Sequence, residues 1–442
     1  MLAIAFLGFS AGLPFLLVFS TLSAWLTEYG VSRSTIGFFS WIGITYSVKV
    51  FWAPVVDRMR LPGLTRLLGQ RRSWMLVAQI GIAAGLFAMA ATDPSADLVR
   101  LALLGLLVAF SSATQDITID AYRIEAVEEE RQAAMAAAYI FGYRLALLFA
   151  GAGALYIAEF ASWHAAYLGM ALAAGVGICT TLVIAEPERI IASATRELEA
   201  RVVEFSNRRA HWPQALRRLG EWFVGAVICP FLDFFQRNGV VLALILLALV
   251  GTYRISDITM GVMANPFYLD LGFTKTEIAN VVKIFGFGMT IAGSAIGGLV
   301  VVRLGLARTL LLGAVLVAAT NLLFALMAGV GPERALLALV ISADNFSGGL
   351  ANVVFIAFLS GLTNTAYTAT QYALFSSLMT LPGKFVGGYA GVVVDAAGYA
   401  PFFIYAGLLG VPAIALVLWL MKRHADLFER AAQTIPHPRE TS

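Results

Sequence analysis

Long apolar runs recur along the chain, separated by short polar stretches. Twelve can be placed, at 2–26, 34–55, 73–92, 98–120, 132–158, 163–185, 238–265, 276–302, 308–328, 335–361, 368–392 and 398–421. A helix needs roughly 20 mostly apolar residues to cross a bilayer. The pattern therefore predicts an all-α polytopic membrane protein with twelve transmembrane helices. One stretch departs from it. Residues 186–237 hold eight Arg and seven Asp or Glu, with Ile191, Ala194, Leu198, Val202 and Phe205 at helical spacing. That spacing predicts an amphipathic linker lying on the membrane surface. Pro213 ends it, and a second basic amphipathic stretch, Leu216 to Phe235, leads into span seven. The expected organisation is a six-helix bundle at 1–185, the linker at 186–237, a second bundle at 238–421 and a tail at 422–442.

The second half repeats the first. "YGVSRSTIGFF" from Tyr29 matches "LGFTKTEIANV" from Leu271, "FSSATQD" from Phe110 matches "FSGGLAN" from Phe346, and "YRL" at Tyr143 aligns with "GKF" at Gly383. The offsets are 242, 236 and 240 residues. A near-constant offset marks a duplicated unit, and two such bundles place a substrate site near the bilayer midplane between them. The first motif pair puts a glycine, then Ser or Thr as a helix N-cap, between two spans.

Composition agrees with the apolar pattern. Charged residues make up 13% of the chain, against about 25% in soluble domains. Basic residues cluster between runs two and three (Arg58, Arg60, Arg66, Arg71, Arg72), in the linker, and in the tail (Lys422, Arg423, Arg430). Alternate loops hold a scatter such as Arg33, Lys275 and Arg334. The positive-inside rule then puts both termini and the linker in the cytoplasm. The first run has no basic leader and no A-x-A cleavage pattern, so it reads as a retained helix.

Charges inside the spans narrow the function. Lys49, Asp116, Arg144, Arg254, Asp257, Lys283, Asp344 and Lys384 all fall within apolar runs. A charge at a helix centre costs about 2.5–3.5 kcal/mol, so these residues should face the bundle interior or a cavity. Five bases against three acids leave two positive charges for an anionic substrate. Arg144 and Lys384 hold matching positions in spans five and eleven and are expected to face the central cavity and bind a carboxylate, one as a planar fork and one as a point charge. A static pair of either with Asp116 or Asp344 is the alternative. Gln115, Tyr143, Lys49, Asn265 and Arg254 join the substrate-binding candidates. Arg254 and Asp257 stand i, i+3 and can neutralise each other. Asn265-Pro266 is expected to unwind span seven locally. Tyr46, Tyr253 and Tyr372 are further aromatic candidates for stacking on sugars.

Asp116 and Asp120 share a helix face. Burial and a nearby cation pull a carboxyl in opposite directions, which suits a proton carrier. Asp116 is the leading proton-coupling candidate, with Asp257 and Asp344 behind it. Asp120, beside Arg123, reads as a cytoplasmic gate residue.

Other chemistries find no support in the motifs. Cys179 and Cys229 stand alone, so neither a disulfide nor a zinc site is read. His164, His211, His424 and His437 pair with no Ser or Cys in a recognisable constellation, so an intramembrane enzyme is not expected, nor is a cofactor. The chain contains no GxxxxGK[ST] loop, leaving an ion gradient or passive exchange as the energy source.

Two further patterns carry a resemblance. "APVVDR" at 53–58 followed by "GQRRSW" at 69–74 resembles the major facilitator loop signature, in which Asp57, Arg58, Arg71 and Arg72 would form a gating charge relay. "GGLVVVRLGLAR" at 297–308 is similar to its degenerate second copy. "LGFSAGLPFLLVFSTLSAWL", "IGFFSWIG", "SSATQDITIDAYRIE", "GYRLALL", "GTYRISDITMGVMANPFY" and "LPGKFVGG", in that order, resemble AmpG-type muropeptide permeases over nearly the whole chain. The resemblance implies two pseudo-symmetric six-helix bundles in the bacterial inner membrane. It also implies proton-coupled import of anhydro-muropeptides, N-acetylglucosaminyl-anhydro-N-acetylmuramic acid with or without stem peptide, for peptidoglycan recycling. In that family the import feeds signals that induce β-lactamase. The implied partners are a small glycopeptide, protons and the lipid bilayer, with no obligate protein partner. A siderophore or acyl-carrier permease is the alternative within the same architecture, and a muropeptide sensor the alternative outside it.

Overall fold

The computed structural model describes residues 2–126, 132–187, 229–362 and 368–425, with Asn207, Pro213, Gly220, Glu221, Val224 and residues 427–428. The expected surface helix at 191–205 and most of the 422–442 tail lie outside the described residues.

The described chain is helical, with no strand. Among the described residues ten helices are long and apolar enough to cross a membrane, including Leu2–Glu28, Leu98–Arg123, Val240–Asp270 and Tyr399–Arg423. Two further membrane-length segments are broken. Span two runs 33–58 as short α-helical pieces joined by 3₁₀ turns at Ser40–Gly43 and Lys49–Phe51. Span eleven runs Thr368–Gly387 and resumes at Ala390–Ala397. Twelve crossings result, each coinciding with an expected apolar run. Twelve crossings also return the chain to the side on which it began, called the terminal side below. The opposite face is the far side.

Several spans carry breaks. Span one is interrupted between Leu2–Leu17 and Ser20–Glu28, four residues beyond Pro14. Span seven breaks at Tyr253 and Arg254, between Val240–Thr252 and Ile255–Asp270. Helix continues through Asn265 and Pro266, so the expected unwinding there is displaced by three turns. A proline's own missing N–H and its ring disturb the turn before it, and here the helix absorbs that disturbance without ending. Wider π-helical turns occupy Phe149–Gly153 in span five and Ile278–Phe285 in span eight. Such turns rotate the residues that follow them relative to a regular helix.

The repeated far-side loops are built alike. Gly30 and Gly272 both take positive φ, 70° and 96°, a region that glycine enters without steric cost. Ser32 and Thr274 then cap the next helices, accepting from the backbone of Thr35 and Glu277. Thr274 and Glu277 form a reciprocal capping box, as the sequence motif leads one to expect.

Apolar packing differs between the two faces. Toward the far side one continuous core joins the halves, from Leu22, Trp25 and Tyr167 to Phe267, Phe324 and Phe403. Toward the terminal side the described residues form two separate cores. One holds Ile4, Leu7, Met75, Ile119 and Tyr122 from the first half. The other holds Leu246, Tyr253, Leu310, Phe355 and Phe358 from the second. The halves therefore meet at one face and part at the other.

Candidate functional site

The far-side seam is sealed by charge as well as by apolar contact. Asp270 accepts from the Arg33 guanidinium on both carboxylate oxygens, with Nε at 2.8 Å. The Tyr399 hydroxyl donates to the same carboxylate at 2.6 Å. Lys275 Nζ pairs with Glu28 at 2.8 Å and lies 3.7 Å from Glu159. Glu28 and Arg33 are five residues apart, as are Asp270 and Lys275, and the repeat offset of 242 carries one pair onto the other. Each half's acid takes the other half's base. In each half the acid ends one helix and the base begins the next, with a glycine turn between them. Sequence reasoning treated Arg33 and Lys275 as loop scatter. The signal that could have found them was the matched acid-to-base spacing in "EYGVSR" and "DLGFTK".

Close backbone approach tightens the same seam. A Cβ on Gly391 would stand 1.6 Å from the Arg33 carbonyl oxygen, and one on Gly37 would stand 2.6 Å from the Gly388 oxygen. Ser34 donates to Asp395 through its backbone N–H at 2.8 Å and its hydroxyl at 2.6 Å. The Trp41 indole donates to the Phe385 carbonyl at 3.0 Å.

Beneath the seam lies a cavity of about 390 Å³ between the halves. Spans one, two, seven and eleven line it. Its walls are mainly apolar, including Phe15, Phe19, Leu22, Phe39 and Ile258, with the hydroxyls of Ser20, Ser23, Ser40 and Thr380. Arg254 and Lys384 are its two cations. Lys384 Nζ donates to Ser47 Oγ at 2.9 Å and stands 5.9 Å over the Tyr46 ring. Tyr46 packs in turn on Phe15 and Phe19. Arg254 pairs with Asp257 and donates to Asn352 Oδ1 at 2.8 Å. At 1.5 Å rise per residue, Arg254 lies about 24 Å from the far-side end of its helix at Asp270.

A second cavity of about 270 Å³ adjoins the first, sharing Leu16 and Gly261 with it. Asp257, Lys283, Asp344 and Asn345 line it. Asp344 accepts from the Thr320 hydroxyl at 3.2 Å, and Lys283 lies 3.4 Å from Ser20 Oγ. A third, of about 420 Å³, shares Leu148, Phe287 and Thr290 with the second, and Arg144 lies on its wall.

The spans bring some of the expected residues together and separate others. Lys384 and Arg254 share the central cavity, but Arg144 does not join them. Span five packs on span one through Gly142, where a Cβ would stand 1.8 Å from the Ala5 carbonyl oxygen. Two residues further, a helix has turned about 200°, so Arg144 points away from that contact and into the outer cavity. Asp116 pairs with Lys49 at 3.6 Å instead of with Arg144. Its Oδ1 is buried with no hydrogen-bond partner among the described residues. Five bases against three acids thus resolve into two ion pairs. Lys283, Lys384, Arg144 and the acid Asp344 have no ion-pair partner among the described residues.

The remaining candidates sit in packing roles or at the terminal side. Gln115 is fully buried and exchanges two hydrogen bonds with Ser10, accepting from its hydroxyl at 2.8 Å and donating to its carbonyl at 3.0 Å. That locks span four to span one. Asn265 donates to the Ser20 carbonyl across the halves. Tyr143 is half-buried beside Tyr139, with its carbonyl against Gly12. Tyr253 stacks on Phe355 and donates to the Leu310 carbonyl, within the core. Asp120 lies 3.7 Å from Arg123, which stands over the Tyr139 ring. The backbone N–H groups of Arg71 and Arg72 donate to Glu186 at 2.7 and 3.1 Å, a carboxylate on a helix N-terminus. The Arg72 side chain donates to the carbonyls of Thr181 and Leu182. Glu186, which the sequence reading counted only among linker charges, thereby ties the end of span six to the start of span three. Asp57 and Arg58 close the helix Ala53–Arg58; their side chains, like that of Tyr372, lie outside those described.

Comparison with known proteins agrees with this architecture. Residues 4–383 match the Major Facilitator Superfamily. The chain is 33% identical over 414 residues to the anhydromuropeptide permease of Escherichia coli (strain K12), covering 93% of this chain and 78% of that one. It is 33% identical over 427 residues to an uncharacterized protein of Haemophilus influenzae, covering 95% and 94%. Among solved structures, a peptide transporter of the POT family in complex with sulfate aligns with TM-score 0.68 at 12% identity, over 97% of this chain and 94% of that chain. A D-xylose-proton symporter aligns with TM-score 0.63 at 13% identity, over 94% and 95%. At such identities the likeness speaks to the fold.

Proposed function

Because the chain belongs to the Major Facilitator Superfamily, we propose that it is a proton-coupled importer of anhydro-muropeptides, serving peptidoglycan recycling in the bacterial inner membrane. The cargo is N-acetylglucosaminyl-anhydro-N-acetylmuramic acid, with or without stem peptide. Its termini are cytoplasmic and the far side is periplasmic, so the closed seam faces the periplasm and the parted cores face inward. The observation that carries the cargo is the pairing of two cations, Arg254 and Lys384, with aromatic and hydroxyl walls in one cavity between the halves. Sugar rings present apolar faces to aromatic side chains and hydroxyls to polar ones, while Lys384 would meet the lactyl group of the muramic unit, a carboxylate in the bare disaccharide and an amide carbonyl where stem peptide is attached. The similarity to a permease named for anhydromuropeptide, across 93% of this chain, supports the same reading.

Lys49 and Asp116 are the proposed coupling pair. Protonation of Asp116 would release Lys49 and loosen span two against span four. The sugar and carboxylate would draw Lys384 from Ser47, and the seam would reform above the loaded cavity. Asp257 and Asp344 are secondary proton candidates, and Asp120 with Arg123 a cytoplasmic gate pair. The loop relay of Asp57, Arg58, Arg71 and Arg72 would fix the end of span three as the halves rock. Uptake of labelled anhydro-disaccharide by proteoliposomes, competed with unlabelled disaccharide, a siderophore or an acyl carrier, tests the cargo. Competition by the disaccharide alone supports the proposal. No saturable uptake of the disaccharide, with uptake of a labelled siderophore or acyl carrier in its place, makes the chain a permease for that cargo.

A further inference from the structure

The geometry points to a peptide arm on the central site, ending at Arg144, that distinguishes peptide-bearing muropeptides from the bare disaccharide. This inference rests on the muropeptide reading above. The central cavity, at about 390 Å³, is bounded by Leu16 and Gly261, and the second cavity begins at those same two residues. The second and third cavities join along Leu148, Phe287 and Thr290. Three adjoining cavities, bordered first by Leu16 and Gly261 and then by Leu148, Phe287 and Thr290, therefore lie in sequence from Lys384 to the cleft between spans five and eight.

The third cavity suits a short peptide ending in a carboxylate. Ile140, Phe141, Leu145, Leu148, Phe287 and Ile291 make an apolar trough. Arg144 is its charged group, exposed and without an ion-pair partner among the described residues. A guanidinium facing acyl chains would be costly, whereas its planar fork matches a carboxylate with two parallel hydrogen bonds. Thr290 donates to Asn345 Oδ1 at 3.0 Å and Ser294 donates to the Gly349 carbonyl at 3.3 Å. Both hydroxyl oxygens retain lone pairs that can accept from peptide N–H groups.

The distances agree. Arg144 and Leu148 are one helical turn apart, about 6 Å along the axis. An extended peptide advances about 3.3–3.6 Å per residue. From Leu148, on the wall of the second cavity, an extended peptide therefore reaches Arg144 with about two residues. The bare disaccharide ends before the arm begins.

The test is uptake kinetics in proteoliposomes for the wild-type chain, Arg144→Gln and Arg144→Lys, each with labelled disaccharide and labelled disaccharide-tripeptide. Arg144→Gln should raise the half-saturating concentration of the tripeptide conjugate about 10-fold to 100-fold, the scale of a lost charge-assisted hydrogen-bond pair. The disaccharide should shift by less than about 3-fold, on the scale of surface substitutions, and Arg144→Lys should recover part of the loss. Equal losses for both substrates, or no loss for either, would overturn the arm while leaving the muropeptide reading intact. A wild-type chain that carries neither substrate overturns that reading and the arm with it.

Discussion

At the far side, Trp25 and Tyr167 of one half share a core with Phe267 and Phe403 of the other, and two reciprocal ion pairs bind the rim. At the terminal side the described residues of the two halves form separate cores, and the mid-membrane ion pairs stay within one half, as Lys49 with Asp116 and Arg254 with Asp257, while Lys384 reaches Ser47 of the other half through a hydrogen bond. The sequences that build the two faces come from the same duplication. What differs is the partner each charge takes. Pairing across the halves joins them, whereas pairing within a half leaves that half free to move as a unit. On the proposed reading, the far-side seam serves closure and the mid-membrane charges serve cargo and coupling.

The largest effect is expected where the cavity loses its cargo charge. Lys384→Glu places a carboxylate against an anionic substrate and should reduce uptake of the disaccharide at least 100-fold, a cost of about 3 kcal/mol or more for an unpaired buried charge. Near-normal uptake by that variant would detach the central cavity from transport. Next comes coupling. One proton crossing about 100 mV supplies about 2.3 kcal/mol, enough for roughly 50-fold accumulation. Asp116→Asn should abolish uphill import in vesicles with an imposed pH gradient while sparing counterflow between equal concentrations. A mutant that still accumulates cargo points instead to Asp257 or Asp344.

The seam is expected to respond less steeply. Gly391→Leu drives a side chain into the Arg33 carbonyl and should wedge the far side apart. With Cys179 and Cys229 replaced by serine, a cysteine introduced at Ser23 reports this as faster labelling by a membrane-impermeant thiol reagent added from the far side, by about 10-fold, the size of a typical coupling between conformational states. Unchanged labelling would mean that close packing of spans two and eleven does not hold the seam. Smallest is the single ion pair. Arg33 and Asp270 side chains are 18% and 30% exposed, and pairs of this kind contribute about 0.2–1 kcal/mol. Arg33→Asp should therefore speed the same labelling several-fold, and Arg33→Asp with Asp270→Arg should restore it. Failure of the double exchange would show that the pair acts through Tyr399 or Lys275 and not through its own charges.

Sequence periodicity carried the twelve crossings, because each apolar run is long enough to be read without a partner. The N-caps at Ser32 and Thr274 were legible for the same reason, since a cap is a local device. Rotation about a helix axis was not. Aligning the repeats set Arg144 opposite Lys384, yet Gly142 turns span five so that the two cations face different cavities. Asp116 was legible as a cavity-side charge, but its partner Lys49 comes from a segment of 3₁₀ turns whose register differs from an α-helix. Gln115 looked like a sugar ligand, and only the packing of span four on span one shows that Ser10 satisfies it. The reciprocal seam was written in two five-residue spacings, which gain meaning once the halves are placed face to face.

The central claim is that the cavity beneath the closed seam carries an anhydro-muropeptide into the cell at the expense of a proton gradient. Its most direct test is uptake of labelled anhydro-disaccharide by proteoliposomes of the purified chain, with the pH gradient imposed and then collapsed. The account predicts accumulation above the external concentration, of about 10-fold per pH unit imposed for one proton, falling to equilibration when the gradient is removed. Equilibration at the same level under both conditions would contradict proton coupling, and the absence of any flux would contradict the transporter of this cargo itself.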